Sequence, residues 1–291
     1  MKKRILQIDA FSDRPLLGNP AAVVFDADDL PTGIMQRVAR EMNLSETVFL
    51  LRPTGDADYR ARIFTPVREL PFAGHPTIAA AHAFCDEQGR TPRNLTQECG
   101  IGLVPIRIEG DLYTMTQATP QFRDVPVPKA DLAEAICLPL DRLTDSPHQI
   151  VSTGVPWLLL ELHDLRALAD LRPDLGRIER ICHGIGATGL TVFADSGTGA
   201  TPRLRLRTFA PGEGVAEDPV CGSGNGALAA WIAAHRDPVP RGDYLSKQGD
   251  EMGRRGLVHA GWERTAEGLR ITIGGAACIV LRGELDLGDT S

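Results

Sequence analysis

The chain has 291 residues, 43% of them hydrophobic, and a formal net charge of -7. This length favours two domains, each large enough to bury its own core. Lys and Arg are scattered and do not interleave with aromatic residues, which argues against a nucleic-acid-binding surface. The longest apolar run, residues 227–234, is far too short to span a membrane.

The six cysteines indicate the cellular compartment. None forms a Cys-x-x-Cys motif, and a globular chain of this size does not need disulfides, so we expect free thiols in a reducing compartment. The N-terminus begins Met1-Lys-Lys-Arg, but Asp9 interrupts the apolar run that follows, which argues against a signal peptide. The sequence therefore predicts a soluble, cytoplasmic protein.

Strands and helices alternate in the first half of the predicted structure. Short β-rich runs predict strands, and apolar residues three to four apart predict helices. Pro76 suits the first turn of a helix, where its missing N–H does no harm. The predicted elements are a hairpin of strands at 5–11 and 21–25 over Gly18-Asn19-Pro20, a helix at 31–42, strands at 47–51 and 59–64, a helix at 76–85, and a hairpin of strands at 103–109 and 112–116.

The second half repeats this order after a Pro-rich and Asp-rich stretch at 119–148, which contains a short predicted helix at 129–137. We place the domain boundary there, with lobes at 1–125 and 126–284 and the extreme C-terminus packing back on the first lobe. The remaining predicted elements are strands near 149–162, a helix near 175–183, strands near 189–209, a helix from about 224 to 235, and strands at 257–262, 269–273 and 277–283.

An internal repeat underlies this order. Arg62-Ile-Phe-Thr-Pro66 returns as Arg207-Thr-Phe-Ala-Pro211, and each is followed by a Gly-containing segment that opens a helix. Five matches occur in the same order, at offsets of 136, 144, 145, 148 and 154 residues. Two similar halves predict two pseudo-symmetric lobes with a cleft between them.

The two helices of the repeat, at 77–84 and 226–234, are apolar almost all round. A helix without a polar face belongs in the interior. We therefore predict an α+β fold in which each lobe is a curved, barrel-like sheet around one central helix.

Six motifs follow one another along the chain. They are Asp9-Ala-Phe, Gly18-Asn-Pro-Ala-Ala-Val23, Asn43-Leu-Ser-Glu-Thr-Val-Phe49, Phe64-Thr-Pro, Pro71-Phe-Ala-Gly-His-Pro-Thr77 and Glu217-Asp-Pro-Val-Cys-Gly-Ser223. In these motifs and their order the chain resembles the PhzF-like phenazine-biosynthesis family of the diaminopimelate epimerase fold. The resemblance implies two lobes with the active site in the cleft, no metal or organic cofactor, and often a homodimer.

Glu46 is the leading catalytic candidate. The repeat aligns Thr47 with Thr191, which gives Glu46 an apolar counterpart, Leu190. On residue type alone, a solvated glutamate at a helix end or loop is the commoner interpretation. The resemblance implies instead that Glu46 is the general acid/base, because a carboxylate walled by apolar groups can exchange a proton near neutrality.

His75 and Asp218 are the other two catalytic candidates. A histidine beside a helix start is often a cap or a packed ring, and Asp-Pro turns are common without any function. The resemblance implies that His75 helps to hold the substrate and its protons. It also implies that Asp218 is an active-site acid next to Glu46.

The substrate is expected to be a small anion. Gly74 and the run Gly222-Ser223-Gly224-Asn225 open the two buried helices, and helix N-termini attract anions. A plain Gly-rich loop is the alternative. We assign Gly74, Gly222, Ser223 and Gly224 to substrate binding, and Asn19 joins them.

Cys221 leaves a second mechanism open. Related racemases and epimerases use two facing cysteines, whereas the repeat aligns Cys221 with Ala73, so only half of that pair is present. An epimerase using Glu46 and Cys221 remains an alternative, as does a small buried cysteine without a role. His82 and Cys85 lie three residues apart, but no further ligand pattern accompanies them, so we predict no metal site.

We therefore interpret the chain as a cofactor-independent isomerase that moves a proton between carbons of a small carboxylate. A dihydro-hydroxyanthranilate is the substrate that the resemblance implies. The alternatives are an epimerase or racemase using Glu46 and Cys221, and a non-catalytic small-molecule-binding or scaffold protein of the same fold.

Overall fold

Two compact units make up the protein, whose computed structural model describes residues 1–197 and 199–288. Unit 1 consists of Met1–Thr116 with the C-terminal stretch from Gly274, and unit 2 consists of Gln117–Ile273. No helix in the described residues is long and apolar enough to cross a membrane.

Eighteen strands and six helices are labelled in chain order over the described residues. The strands are β1 (Lys2–Ala10), β2 (Asn19–Val24), β3 (Glu46–Leu51), β4 (Tyr59–Phe64), β5 (Glu69–Leu70), β6 (Asn94–Cys99), β7 (Gly102–Glu109), β8 (Leu112–Thr116), β9 (Gln121–Asp124), β10 (Gln149–Ser152), β11 (Pro156–Leu162), β12 (Gly189–Asp195), β13 (Leu204–Ala210), β14 (Val215–Asp218), β15 (Arg241–Gln248), β16 (Gly256–Thr265), β17 (Gly268–Gly275) and β18 (Ala277–Asp286). The helices are α1 (Thr32–Met42), α2 (Gly74–Gln88), α3 (Lys129–Ala135), α4 (Leu165–Asp170), α5 (Leu175–Ile185) and α6 (Gly222–His235).

The two units pair their strands in the same pattern. In unit 1, β18–β1 and β1–β2 are antiparallel, β2–β3 is parallel, β3–β4 is antiparallel, β4–β6 is parallel, and β6–β7 is antiparallel. In unit 2, the same succession runs through β9, β10, β11, β12, β13, β15 and β16. The repeated pattern confirms the repeat that the sequence predicted, and with it the epimerase-like α+β fold.

Each sheet packs on one central helix, as predicted. In unit 1, α2 contacts β1, β2, β3, β4, β6, β8 and β18, and in unit 2, α6 contacts β10, β11, β15 and β16. Both helices are buried on every side over most of their length. Their many alanines let the surrounding strands approach closely, because a methyl group adds little radius.

Both central helices begin two residues earlier than predicted, at Gly74 and Gly222. The residues before them, Ala73 and Cys221, keep an extended backbone and act as N-caps. His75 therefore lies in the first turn of α2 and does not precede it. A helix-start prediction based on Pro76 misses these residues because glycine is a poor helix former, although it is well tolerated at a helix end.

Helices also cover the outer face of each sheet. In unit 1, α1 buries Met35, Val38 and Ala39 in a cluster with Phe49 and Phe64. In unit 2, residues of α3, α4 and α5 form the corresponding cluster with β11, β12 and β13. The cores thus lie on both faces of each sheet.

Five strands escaped prediction, β5, β6, β9, β14 and β15, as did the short helix α4; β6 and β15 are the two longest of these strands. In β15 the buried positions are Tyr244, Ser246 and Gln248. In β6 they are Leu95 and Gln97. Because polar side chains point inward, the alternation of apolar and polar residues that marks a half-buried strand is missing.

Candidate active site

Glu46 and His75 meet in unit 1. Glu46 is the first residue of β3, and His75 lies in the first turn of α2. The His75 Nε2 lies 3.2 Å from the Glu46 Oε2, with the two side chains 6% and 16% exposed. A carboxyl group and an imidazole at this distance can share one proton.

The protonation of His75 follows from its surroundings. Burial lowers its pKa to about 3, and a hydrogen bond to the backbone of Pro20 only partly opposes this shift. The Pro20 backbone offers only a carbonyl, so the ring donates its single N–H there. Nε2 then carries no proton, so a hydrogen bond between it and Glu46 would require the proton to be on the Glu46 carboxyl group.

The other candidates of unit 1 lie close by in the fold. Asn19 is fully buried at the start of β2, two residues before Ala21, which pairs with Glu46 across the parallel strands. Gly18 precedes it with φ +65°, and a Cβ there would lie 2.3 Å from the carbonyl oxygen of Ala10, so only glycine fits. Gly74 is the first residue of α2. The structure thus gathers Asn19, Glu46, Gly74 and His75 around one end of α2.

Asp218 is the candidate catalytic acid in unit 2. It ends β14, and its Oδ1 accepts a hydrogen bond from the Val220 N–H at 3.1 Å. Although part of the residue reaches solvent, desolvation of the carboxyl group raises its pKa to about 6, against the opposing effects of hydrogen bonds from Cys221 and Val220. Such a group changes charge near neutrality, which is the behaviour expected of an active-site acid.

Cys221 is the N-cap of α6, and its Sγ accepts a hydrogen bond from the Gly224 N–H at 3.3 Å. Burial, followed by the negative charge of Asp218, raises the pKa of the thiol well above its usual value. The side chain therefore stays a protonated thiol near neutral pH. A protonated thiol can donate a hydrogen bond but cannot accept a proton from carbon.

Gly222, Ser223 and Gly224 form the first turn of α6. A Cβ on Gly224 would lie 3.0 Å from the Thr191 hydroxyl, so this turn packs tightly against the sheet. Ser223 Oγ accepts a hydrogen bond from the indole N–H of Trp157 at 2.9 Å. The structure therefore brings Asp218, Cys221 and the Gly222–Gly224 turn together within unit 2.

Gln248 is a residue of this region that sequence reasoning missed. Its Oε1 accepts from the Cys221 N–H at 3.2 Å and from the Asn225 Nδ2 at 3.3 Å, and its Nε2 donates to the Asp218 carbonyl at 2.8 Å. The buried amide thus fixes the backbone on both sides of the Pro219 turn. The only sequence signal is a glutamine at the end of β15, a strand too polar to be recognised.

The strand registers correct the proposed counterpart of Glu46. Phe64 and Phe209 are equivalent through the Arg-x-Phe-x-Pro repeat. Thr47 pairs with Phe64 and Leu190 pairs with Phe209, so the residue equivalent to Glu46 is Gly189, one position before Leu190. The prediction of Leu190 was wrong because the alignment of Thr47 with Thr191 is offset by one residue from the strand ladder.

Comparison with known proteins supports one family. The family model described as phenazine biosynthesis-like protein, PhzC-PhzF, matches residues 8–283. The trans-2,3-dihydro-3-hydroxyanthranilate isomerase of Pseudomonas aeruginosa is 39% identical over 270 residues, which cover 91% of this chain and 92% of that protein.

Solved structures agree with this family. A PhzF-family phenazine biosynthesis protein of Bacillus anthracis superposes with a TM-score of 0.92 at 29% identity, covering 99% of this chain and 100% of the other. A hydroxyproline epimerase of Agrobacterium vitis superposes with a TM-score of 0.64 at 15% identity, covering 99% and 94% of the two chains. The second likeness shows that the fold is shared with epimerases.

Proposed function

This chain belongs to the phenazine biosynthesis-like PhzC-PhzF family and is an isomerase, and we propose that it isomerises trans-2,3-dihydro-3-hydroxyanthranilate or a close analogue using side chains alone. The substrate comes from the 39% identical relative of Pseudomonas aeruginosa. Such a molecule carries a carboxylate and a C–H bond beside conjugated double bonds. A proton removed from one carbon can therefore return to another carbon of the same system.

In this proposal Glu46 moves the proton. Its carboxylate accepts the proton from carbon, and the resulting carboxylic acid delivers it to the second carbon. Positioned acid/base groups of this kind contribute about 10²–10⁴-fold to rate. The partly buried setting of Glu46 suits the task, because bulk water would otherwise exchange with the proton in transit.

His75 stabilises the state between the two transfers. With its own N–H held by the Pro20 backbone, Nε2 is an acceptor 3.2 Å from the Glu46 Oε2. It can accept a hydrogen bond from Glu46 only while Glu46 carries the proton. This contact is the observation that best supports the proposal, because it provides a partner for the protonated form of the acid/base.

Asp218 and the helix starts bind the substrate in this proposal. The first turn of α2 in unit 1 and the first turn of α6 in unit 2 each offer N–H groups, and the dipole of each helix favours an anionic group such as a carboxylate. Asp218, with its pKa of about 6, can accept a hydrogen bond from a polar substituent when ionised and donate one when protonated. We propose that both sets of residues are required for turnover.

The protonation state of the Cys221 thiol favours the isomerase over the two-base epimerase. An epimerase that works in both directions needs each of its bases in the proton-accepting form for one direction. The pKa of the Cys221 thiol is raised well above normal by burial and by Asp218, which makes the thiolate scarce. A single glutamate suffices for an isomerase that returns the same proton.

The substitution Glu46→Gln tests the proposal. The amide keeps the shape of the side chain but cannot accept a proton, so turnover of trans-2,3-dihydro-3-hydroxyanthranilate should fall by at least about 10²–10⁴-fold with an unchanged melting temperature. Glu41→Gln is the matched control, because Glu41 is exposed on α1 of the same unit. Near-normal turnover by the Glu46 variant would remove Glu46 from the mechanism, and an inactive wild type would reject the substrate.

A further inference from the structure

Unit 2 replaces the Glu46–His75 pair of unit 1 with different chemistry at equivalent positions. His75 and Ser223 are the second residues of α2 and α6. Ala21 pairs with Glu46 on the neighbouring strand, and Trp157 pairs with Gly189. Unit 1 thus pairs a small residue, Ala21, with the large Glu46. Unit 2 pairs the large Trp157 with Gly189, which has no side chain.

Gly189 makes room for the indole of Trp157. A Cβ at Gly189 would lie 2.7 Å from Trp157 Cζ3 and 2.1 Å from the Phe209 carbonyl oxygen. The indole is 4% exposed, and its N–H reaches Ser223 Oγ at 2.9 Å. Where unit 1 directs a carboxyl group at the first turn of its central helix, unit 2 directs a fixed N–H donor.

The donor N–H decides what the Ser223 hydroxyl can do. An indole nitrogen only donates, so Ser223 Oγ must accept from it and keeps its own hydrogen for another partner. The Cys221 Sγ, 3.5 Å away, is the acceptor within reach inside unit 2, but sulfur is a weak acceptor and this one also accepts from the Gly224 N–H. An anionic oxygen from outside the protein would therefore compete successfully for the serine hydrogen, at a helix start that already favours negative charge.

We propose that Trp157 is a positioning residue that orients the Ser223 hydroxyl to donate to the anionic group of the substrate. This inference rests on the proposed function, because Ser223 must contact the substrate for its orientation to matter. Trp157 does not touch the substrate in this proposal and acts only through Ser223.

Kinetics of Trp157→Phe, Ser223→Ala and the double variant test the proposal. The phenylalanine ring fills most of the indole space and removes the N–H, so kcat/KM should fall about tenfold, the equivalent of one hydrogen bond. In the Ser223→Ala background, Trp157→Phe should lower kcat/KM little further, because the hydroxyl that the indole N–H orients is already absent. The matched control is Trp231→Phe, which removes another buried indole hydrogen bond, to the Pro147 carbonyl at 3.2 Å, farther along α6. That control should lose stability but keep kcat/KM.

NMR can detect the hydrogen bond between the Trp157 indole and Ser223 without any turnover. The chain has three tryptophans and so three indole N–H cross-peaks. The cross-peak that disappears in Trp157→Phe should be the one that moves most in Ser223→Ala, and it should move when 3-hydroxyanthranilate, the stable aromatic counterpart of the substrate, is added to wild type.

The outcomes separate the two proposals. Wild-type binding of 3-hydroxyanthranilate without turnover of the dihydro compound would reject the proposed function alone. An active wild type with unchanged kcat/KM in Trp157→Phe would overturn the role of Trp157, as would equal losses from Trp157→Phe in both backgrounds. A Trp157 cross-peak whose position changes neither in Ser223→Ala nor on addition of 3-hydroxyanthranilate would also overturn the role of Trp157.

Discussion

Arg207 holds Glu217 through two parallel hydrogen bonds, from Nε to Oε1 and from Nη2 to Oε2, each 2.8 Å long. Glu217 immediately precedes Asp218, so this pair anchors the strand that presents the acid. The equivalent segment of unit 1 has the same kind of ion pair, in which Arg62 donates two hydrogen bonds of 2.7 Å to Glu69. Both arginines also lie over the phenylalanine two residues later.

We expect the two arginine pairs to differ in their contribution to stability. Arg207 and Glu217 are 7% and 16% exposed, whereas Arg62 and Glu69 are 20% and 38% exposed. Arg207→Met leaves a nearly buried carboxylate and the Leu171 carbonyl, which accepts from Arg207 at 3.1 Å, without their partner. The loss should be about 3–5 kcal/mol in urea unfolding, against about 1 kcal/mol for Arg62→Met. Equal losses would contradict the burial argument.

Cys221→Ser should leave most of the isomerase activity. The thiol is held protonated by burial and by Asp218, and a serine hydroxyl can make the same cap to the Gly224 N–H. Steady-state kinetics and treatment with iodoacetamide provide the measurement, and we expect both the variant and the treated wild type to keep their turnover. A loss of more than about 10²-fold in the serine variant would instead support Cys221 as a second base.

Asp218→Asn should stabilise the protein above pH 6. The folded-state pKa is raised to about 6 from the ordinary 3.8, so the folded protein binds this proton more tightly than the unfolded chain. Wild type therefore loses about 2 to 3 kcal/mol of stability as the pH rises from about 4 to 6. The asparagine variant lacks this loss and can still accept from the Val220 N–H.

Urea unfolding between pH 4 and pH 8 checks this prediction. The difference in unfolding free energy between Asp218→Asn and wild type should grow through the interval from pH 4 to 6 and stay constant above it. Asp141→Asn, at an exposed aspartate of the same unit, is the control and should show no such rise. A difference independent of pH would mean that Asp218 titrates normally.

Gly189→Ala should be strongly destabilising. Its Cβ would lie 2.1 Å from the Phe209 carbonyl oxygen, and the backbone cannot yield without breaking the β12–β13 pairing. We expect a loss of about 3 kcal/mol or more in thermal or urea unfolding. Gly184→Ala in α5 is the matched control, because nothing lies within 4 Å of the added methyl group and alanine favours the helix by about 0.5–1 kcal/mol. A mild effect at Gly189 would show that the sheet can shift there.

The sequence by itself determined the fold and the class of enzyme. Two apolar helices flanked by short strands require a sheet around each helix, and the repeated Arg-x-Phe-x-Pro segments show that this arrangement occurs twice. Glu46, His75 and Asp218 became catalytic candidates because the motifs of adjacent residues that contain them resemble those of the PhzF-like family. Such patterns are local, so they can be read along the chain without knowing which strands pair.

Only the tertiary structure decided the contacts that depend on strand register. Trp157 reaches Ser223 across 66 positions of sequence, and Gln248 fixes Cys221 across 27. A shift of one residue in a strand reverses the side to which each side chain points, and that shift is why Gly189, and not Leu190, is the counterpart of Glu46. No local pattern records such a register, because it is set by the packing of strands that are distant in sequence.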